Sequence, residues 1–187
     1  MKAQIDEQMR LLQLLQNDDS LHSRLSVAVD WLNNAIAHTL PVLVCGNGGS
    51  ASDALHISGE LVGRFFTERK AMNVICLNAN VTVMSAWAND YEYESVFARQ
   101  VEAHGIEGGI CWGISTSGNA ESVVQALRKA QTLNMKTIAL TGAGGGKLAP
   151  VADLLIDVPS NVTPRIQELH LPIYHYICEQ VEARSKN

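Results

Sequence analysis

The stretch that decides the fold is "VLVCGNGGSASDALHISGEL", residues 42–61, in which an apolar run leads into a glycine-rich turn and then into a helical pattern. Gly46, Gly48 and Ala51 match the G-x-G-x-x-[G/A] spacing that binds a dinucleotide pyrophosphate at the start of a helix. Backbone N–H groups at a helix N-terminus attract anions in general. The stretch therefore predicts a strand-turn-helix unit whose turn binds a ligand.

A dinucleotide is the less favoured ligand of this turn. A Rossmann fold places an Asp or Glu about 20 residues after the glycines, at the end of the second strand. That strand ends "ICLNAN", where Asn78 and Asn80 carry no charge, and the next acidic residue is Asp90. A P-loop would need Gly-Lys-Ser/Thr, and this turn has no Lys. The turn is suited instead to another anion or to a polar sugar.

Five short apolar runs alternate with longer segments from residue 41 onward. Continuous apolar runs are typical of strands buried on both faces, and their alternation with helices predicts a parallel sheet. The runs are PVLVCG (41–46), MNVICL (72–77), GGICWGIS (108–115), KTIALTG (136–142) and DLLIDV (153–158). We expect an α/β fold, a three-layer αβα sandwich with a five-stranded parallel sheet, closed by a helix over about 164–184.

Two helices are predicted before the sheet, over residues 3–16 and about 20–38, because apolar residues recur there at helical spacing. Their Leu, Ile and Met side chains need cover, either from the domain or from another copy of the chain. We expect one domain, 1–187, in which helices within 1–40 take part in oligomer packing and 41–187 forms the ligand-binding core.

The composition bounds the class of protein. The chain has 187 residues, 47% hydrophobic and 18% charged, with a net charge of −5, so nucleic acid is not an expected partner. No signal peptide is recognisable, and no apolar run reaches the roughly 18 residues that cross a bilayer. The four cysteines are far apart and lack a C-x-x-C motif, which indicates buried, reduced thiols. We expect a cytoplasmic protein without a membrane partner.

A second loop, "GISTSGNAES" (113–122), follows the third strand. Ser115, Thr116 and Ser117 place three hydroxyls in a row before a helix predicted to begin near Asn119. Hydroxyls and free N–H groups at a helix start make a phosphate pocket that needs no Lys. Simple helix capping would need only one serine. A third loop, "TGAGGGK" (141–147), follows the fourth strand, and all three loops should open at the carboxyl edge of the sheet.

Candidate reactive groups lie on two predicted helices. His56 and Glu60 are four residues apart and share one helix face. With Gln167 and His175 of the closing helix they form an N/O donor set that suits zinc. Residues 167 and 175 are separated by about 12 Å of helical rise, so this set needs either a kink at Pro172 or ligands from two chains.

His170 and Asp53, which lie close in sequence to the candidate groups, are expected to have structural roles. His170, between two leucines, is expected to be a helix histidine without a direct role. Asp53 is expected in the first turn of its helix, where an acid interacts favourably with the helix dipole.

Several segments together resemble the SIS-domain family and, within it, the phosphoheptose isomerases. The segments are CGNGGSASDALHISGEL (45–61), ANDYEYESVFARQVEAHG (88–105), GISTSGN (113–119), TIALTG (137–142), GGKL (145–148), VPS (158–160) and TPRIQELH (163–170). The resemblance implies the flavodoxin-like SIS fold and conversion of sedoheptulose 7-phosphate to D-glycero-D-manno-heptose 7-phosphate for lipopolysaccharide core synthesis. It also implies a cytoplasmic homotetramer with active sites between subunits and a zinc ion in each.

Carried over by position, the resemblance implies roles for individual residues. The implied catalytic pair is Glu60 and His175. The implied zinc ligands are His56, Glu60, Gln167 and His175. The implied substrate contacts are Asn47, Gly48, Gly49, Ser50, Glu60, Asn89, Asp90, Ser115, Thr116, Ser117 and Gln167. Many members have a serine where this chain has Ala120, which removes one phosphate donor.

A non-catalytic function is the alternative. A DiaA-like branch of the same family keeps the fold and binds the replication initiator DnaA as an adaptor. An adaptor has no physical need for a carboxylate and an imidazole in the pocket, and this chain has Glu60 and His175. Isomerisation through a cis-enediol needs a base at carbon and an acid at the oxygens, so the sequence favours the enzyme, with Glu60 as the base and His175 as the acid.

Overall fold

The fold is a five-stranded parallel sheet between two layers of helices, in a computed structural model that describes residues 1–185. The strands are β1 Val42–Gly46, β2 Val74–Cys76, β3 Ile110–Ser115, β4 Lys136–Thr141 and β5 Leu154–Asp157. The helices are α1 Lys2–Gln16, α2 Asp19–Ala37, α3 Gly49–Val62, α4 Val81–Asp90, α5 Val96–His104, α6 Glu121–Thr132 and α7 Thr163–Arg184. All five predicted strands, both N-terminal helices and the closing helix are confirmed.

The strand order is β2-β1-β3-β4-β5, the flavodoxin-like order. Strands are added on one side of β1 as far as β2 and on its other side from β3 onward, so the switch point lies between β1 and β3. Gly46 pairs with Ile114 and Ser115 pairs with Thr141, so β1, β3 and β4 end side by side. The three predicted loops therefore do open at one edge of the sheet. Ligands bind at this edge in open α/β folds.

Two apolar clusters cover the two faces of the sheet. Side chains of α1, α2, α3 and α7 form one, and α5 and α6, with part of α4, form the other. The second helix, α2, buries six residues in the first cluster, so it is a full member of that layer. The first helix, α1, buries only Leu11 and Leu15. All four cysteines are buried and free, as predicted.

One local expectation, the start of α6, needs correction. α6 begins at Glu121, two residues later than predicted, because Gly118 has a φ of 66° and turns the chain before the helix. α7 is one continuous helix with Pro172 inside it. Pro172 is exposed, so water can reach the carbonyl left without its helical donor. None of the described helices is long and apolar enough to cross a bilayer.

Candidate active site

Three ionisable side chains converge where α3 packs against α7. The His56 Nε2 atom lies 3.0 Å from Glu60 Oε1 and 3.3 Å from His175 Nε2. Potential ligand atoms of all three residues lie within 4.8 Å of one another. We name this cluster of His56, Glu60 and His175 the acid–base corner. One chain alone brings these three predicted residues together.

The corner forms because α3 and α7 run side by side in the same direction. A Cβ atom on Gly49, at the start of α3, would overlap with the amide of Gln167, early in α7. Seven residues later along α3, His56 meets His175. Beyond the end of α3, residues 65–67 meet Glu182, late in α7. Position along one helix therefore fixes the partner on the other.

The donor set of the acid–base corner fits a zinc ion. A tetrahedral ion with bonds of about 2.0–2.1 Å separates its ligand atoms by about 3.3 Å, and the two contacts of His56 measure 3.0 and 3.3 Å. Two imidazoles and one carboxylate are typical of catalytic zinc, which leaves a fourth position open. Burial lowers the pKa of His175, and His56 lowers it further while Glu60 opposes the shift. A neutral imidazole, which metal binding requires, is thereby favoured.

Gln167 lies at the other end of the helix pair, against Gly49. The seven residues from 49 to 56 amount to about 10 Å of helical rise. Within one chain, Gln167 is therefore placed at the glycine turn, whereas the other three predicted zinc ligands form the acid–base corner. A ligand role for Gln167 would require the Gln167 of a second copy.

The glycine turn is held by amide side chains. Asn78 accepts a hydrogen bond from the Gly46 N–H and donates one to the Gly46 carbonyl. This residue ends the strand where a Rossmann fold would have its ribose-binding acid, and its amide is occupied by the turn itself. Gly48 has a φ of 55° and precedes the helix as its N-cap. Of the predicted contacts, Gly48 and Gly49 are exposed, and Ser50 is buried.

Asn47 bridges two other segments. Its amide donates to Ser122 Oγ at 2.9 Å and accepts from the Tyr93 hydroxyl at 2.7 Å. The nitrogen and the oxygen of the Asn47 amide, a predicted substrate contact, are therefore both hydrogen-bonded to protein groups. Tyr93 and Ser122 are not recognisable as part of the site from the sequence, because no local pattern links them to residue 47.

The three hydroxyls of the second loop follow β3 as predicted. Ser115 is buried, Thr116 is half-buried and Ser117 is exposed. Ser117 Oγ accepts a hydrogen bond from the Asn119 N–H, so the hydrogen of that hydroxyl is available to a ligand. We name residues 115–117 the hydroxyl loop. Ala120 is the N-cap of α6, and among the described residues no side chain caps this helix.

The third loop, residues 141–147, packs against the residues that follow the hydroxyl loop. A Cβ on Gly118 would overlap with the Gly145 carbonyl. Asn119 accepts a hydrogen bond from the Lys147 N–H and donates one to the Ser117 carbonyl. Backbone groups and glycines thus hold the hydroxyl loop in place.

Asn89 and Asp90 lie at the end of α4 and are exposed. Asn89 donates a hydrogen bond to Asp90 at 2.9 Å. Asp90 lines a cavity of about 630 Å³ between α4 and α5, beside Trp87 and Arg99. No residue of the acid–base corner lines this cavity. Among residues 1–185 of one chain, this cavity therefore does not join Asp90 to the corner.

His170 is a core residue, as expected. It is fully buried, and its Nε2 lies 3.2 Å from the Thr141 carbonyl. Burial lowers its pKa to about 4, although the Thr141 carbonyl opposes the shift. The expectation for Asp53 is wrong in one respect. The first turn of α3 contains no acidic residue, so Asp53 lies in the second turn, where the helix dipole is weaker.

A buried ion pair, which the sequence analysis missed, ties the end of α3 to α7. Glu182 accepts hydrogen bonds from the backbone N–H groups of residues 65, 66 and 67, and its Oε1 lies 3.3 Å from Arg69 Nε. Arg69 also donates to the Glu60 carbonyl at 2.8 Å. Burial raises the pKa of Glu182, but the backbone donors together outweigh it and lower the pKa. The pair thereby connects the helix of His175 to the backbone of Glu60.

The fold and the convergence of a carboxylate with two imidazoles define a class of sugar-phosphate-binding α/β domains, and comparison with known proteins agrees. The SIS domain family model matches residues 7–142. A phosphoheptose isomerase of Helicobacter pylori is 47% identical over 164 residues, covering 88% of this chain and 85% of the relative. One of Crocosphaera subtropica is 52% identical over 143 residues, covering 76% and 73%. The chain therefore belongs to the SIS-domain family and, within it, to the phosphoheptose isomerases.

Solved structures support the same assignment. The phosphoheptose isomerase GmhA of Neisseria gonorrhoeae superposes with a TM-score of 0.91 at 34% identity, covering 97% of this chain and 96% of that one. The phosphoheptose isomerase of Francisella tularensis superposes with a TM-score of 0.93 at 32% identity, with the same coverage. No observation favours the DnaA-binding adaptor.

Proposed function

We propose that this protein is an aldose–ketose isomerase that converts sedoheptulose 7-phosphate to D-glycero-D-manno-heptose 7-phosphate. The observation that carries the proposal is the acid–base corner, a carboxylate and two imidazoles in contact in a member of the phosphoheptose isomerases. An adaptor would not need these groups. Family resemblance further supports a cytoplasmic enzyme whose product enters the lipopolysaccharide core.

Glu60 is the proposed base. Isomerisation removes a proton from C1 or C2 and returns it to the other carbon through a cis-enediol, while protons redistribute between the two oxygens. A carboxylate that is only partly exposed can take up and return that proton. His175 is the proposed acid at the oxygens, because an imidazole can give and take a proton near neutral pH.

We propose that His56, Glu60 and His175 hold one zinc ion in each subunit. A bound zinc ion would polarise the substrate carbonyl and stabilise charge that develops on oxygen. The fourth position is then available to a substrate oxygen or to Gln167 of a second copy. Gln167 of the same chain is proposed as a substrate contact beside Gly49.

The phosphate end of the substrate is proposed to bind the hydroxyl loop. Three consecutive hydroxyls, beside a helix N-terminus without a side-chain cap, suit a dianion. The glycine turn, Asn47 to Ser50, would contact the sugar between the two ends. Asn89 and Asp90 are proposed substrate contacts across a subunit boundary, since the cavity that Asp90 lines includes no residue of the acid–base corner.

We also propose a homotetramer. Apolar side chains of α1 and one just after α3 are exposed in the single chain, namely Ile5, Met9, Leu12, Leu14 and Phe66. Ile5, Met9 and Leu12 are spaced four and three residues apart and so share one face of α1, and exposed apolar surface is typical of association sites. Light scattering should give about four times the chain mass of 20.3 kDa.

Turnover of sedoheptulose 7-phosphate tests the activity directly. Purified protein is incubated with the sugar before and after treatment with a chelator, and the aldose product is quantified. We expect turnover by the untreated protein, loss of turnover in Glu60→Gln, and an unchanged oligomer. Glu107→Gln, an exposed residue before β3 at the opposite edge of the sheet, is the control. A wild-type protein that leaves the sugar unchanged with every divalent metal would refute the proposed activity.

A further inference from the structure

A buried tyrosine contacts the acid–base corner on the side of His56 opposite Glu60. Tyr174 in α7 is only 2% exposed. Its hydroxyl lies 3.1 Å from His56 Nδ1, the ring nitrogen that faces away from Glu60, and 3.5 Å from Asp53 Oδ1. The His56 and Tyr174 rings meet edge to face, with centroids 5.3 Å apart. The three side chains form a continuous chain of polar contacts.

Asp53 has no sufficient structural role of its own. It lies beyond the first turn of α3, so the helix dipole contributes little. Its Oδ2 atom is buried and has no hydrogen-bond partner among the described residues. Burial raises the pKa of Asp53, while the Tyr174 hydroxyl and His56 lower it. A carboxylate in such a place costs stability unless something uses it.

A divalent cation on His56 Nε2 would fix the direction of the hydrogen bonds. The hydrogen of the neutral imidazole is then on Nδ1, and His56 donates it to the Tyr174 oxygen. The single hydrogen of the Tyr174 hydroxyl is thereby available to Asp53, because an ionised carboxylate can only accept. Nε2 is then unprotonated and faces Glu60 and His175.

We propose that Asp53 and Tyr174 are positioning residues, which hold His56 in the Nδ1–H tautomer so that its Nε2 is presented to a divalent cation in the acid–base corner. The inference rests on the proposed metal site. Neither residue needs to touch the substrate. Groups that orient a histidine ligand in this way commonly change metal affinity by 10–100-fold when removed.

Zinc affinity of metal-stripped protein is the first test, measured by competition with a chromophoric chelator. Tyr174→Phe keeps the buried ring and removes only the hydroxyl, and we expect its zinc dissociation constant to rise 10–100-fold. Tyr176→Phe, an exposed tyrosine two residues away on the same helix, should match wild type. His175→Ala should abolish binding at the corner.

These variants separate the two hypotheses. If His175→Ala abolishes binding while Tyr174→Phe binds zinc as wild type does, the metal site stands and the positioning role is wrong. If wild-type protein binds zinc no better than His175→Ala, the proposed metal site is wrong.

The tautomer of His56 in the zinc-loaded protein is the second test. Nitrogen chemical shifts of ¹⁵N-labelled imidazoles distinguish Nδ1–H from Nε2–H. We expect Nδ1–H at His56 in wild type and a shift towards Nε2–H in Tyr174→Phe. A His56 that carries its hydrogen on Nε2 in wild type would overturn the inference.

Combined variants test whether Asp53 acts through Tyr174. Asp53→Asn alone should weaken zinc binding, because the amide is a weaker acceptor for the tyrosine hydroxyl. In the Tyr174→Phe background the same substitution should have no further effect. An undiminished effect in that background would mean that Asp53 acts independently, and the proposed chain of hydrogen bonds would be wrong.

Discussion

In the acid–base corner, side chains separated by more than 100 residues in sequence hold one another in place, as His56 does with Tyr174 and His175. In the hydroxyl loop, neighbouring backbone groups hold Ser115 to Ser117, with the glycines of the third loop behind them. The proposed proton-transfer groups are therefore held by contacts between distant helices, whereas the proposed phosphate-binding hydroxyls are held mainly by backbone within about 30 residues in sequence. Substitutions far from the chemistry should therefore damage the corner more than the loop.

Loss of the Glu182 carboxylate should have the largest effect. In Glu182→Gln an amide replaces an oxygen that accepts backbone hydrogen bonds, and Arg69 loses its buried counter-charge. We expect the free energy of unfolding to fall by about 3–5 kcal/mol, as measured by urea denaturation. Glu179→Gln, exposed on the same helix, is the matched control. Equal stability of the two variants would show that the ion pair does not stabilise the corner.

His170 joins α7 to the end of β4 through the Thr141 carbonyl, and the pH dependence of stability tests that contact. Its folded pKa of about 4 lies below the unfolded value of 6.5, so only the unfolded chain takes up this proton as the pH falls from 6.5 to 4. Stability should therefore decrease across that window, by about 3 kcal/mol from this residue.

His170→Gln, which can still donate to the Thr141 carbonyl, should show a smaller loss between pH 7 and pH 4.5 in denaturation curves. The control His104→Gln, an exposed residue, should retain the wild-type pH dependence. A pH dependence that His170→Gln leaves unaltered would place the sensitive group elsewhere.

Removal of one hydroxyl tests the loop itself. Ser117→Ala deletes a donor to the proposed phosphate, and we expect KM to rise roughly tenfold, or about 1.5 kcal/mol, with kcat little changed. Steady-state kinetics with sedoheptulose 7-phosphate measure both constants. Ser26→Ala, an exposed serine of α2, is the control. A fall in kcat at constant KM would indicate a role for Ser117 in proton transfer instead.

The smallest expected effect is a gain. Ala120→Ser adds a hydroxyl beside the hydroxyl loop and places a capping residue before α6. We expect about 1 kcal/mol of added stability from the cap, together with a lower KM for the phosphorylated sugar. Thermal unfolding and steady-state kinetics would show the two gains, and Ala183→Ser on α7 should give neither. A higher KM in Ala120→Ser would mean that the loop is shaped around the alanine.

The five strands, the three loops at one edge and the hydroxyls of residues 115–117 can be read from the sequence alone, because apolar periodicity and turn chemistry are local properties. His56, Glu60 and His175 are also recognisable there as candidates. That these three meet in one chain while Gln167 lies against Gly49 follows from the packing of α3 against α7. The same holds for Tyr174 and Glu182, whose roles come from partners 118 and 115–117 residues away. The physical reason is that the register of two packed helices is set by the summed contacts of the whole domain, which no short stretch of sequence encodes.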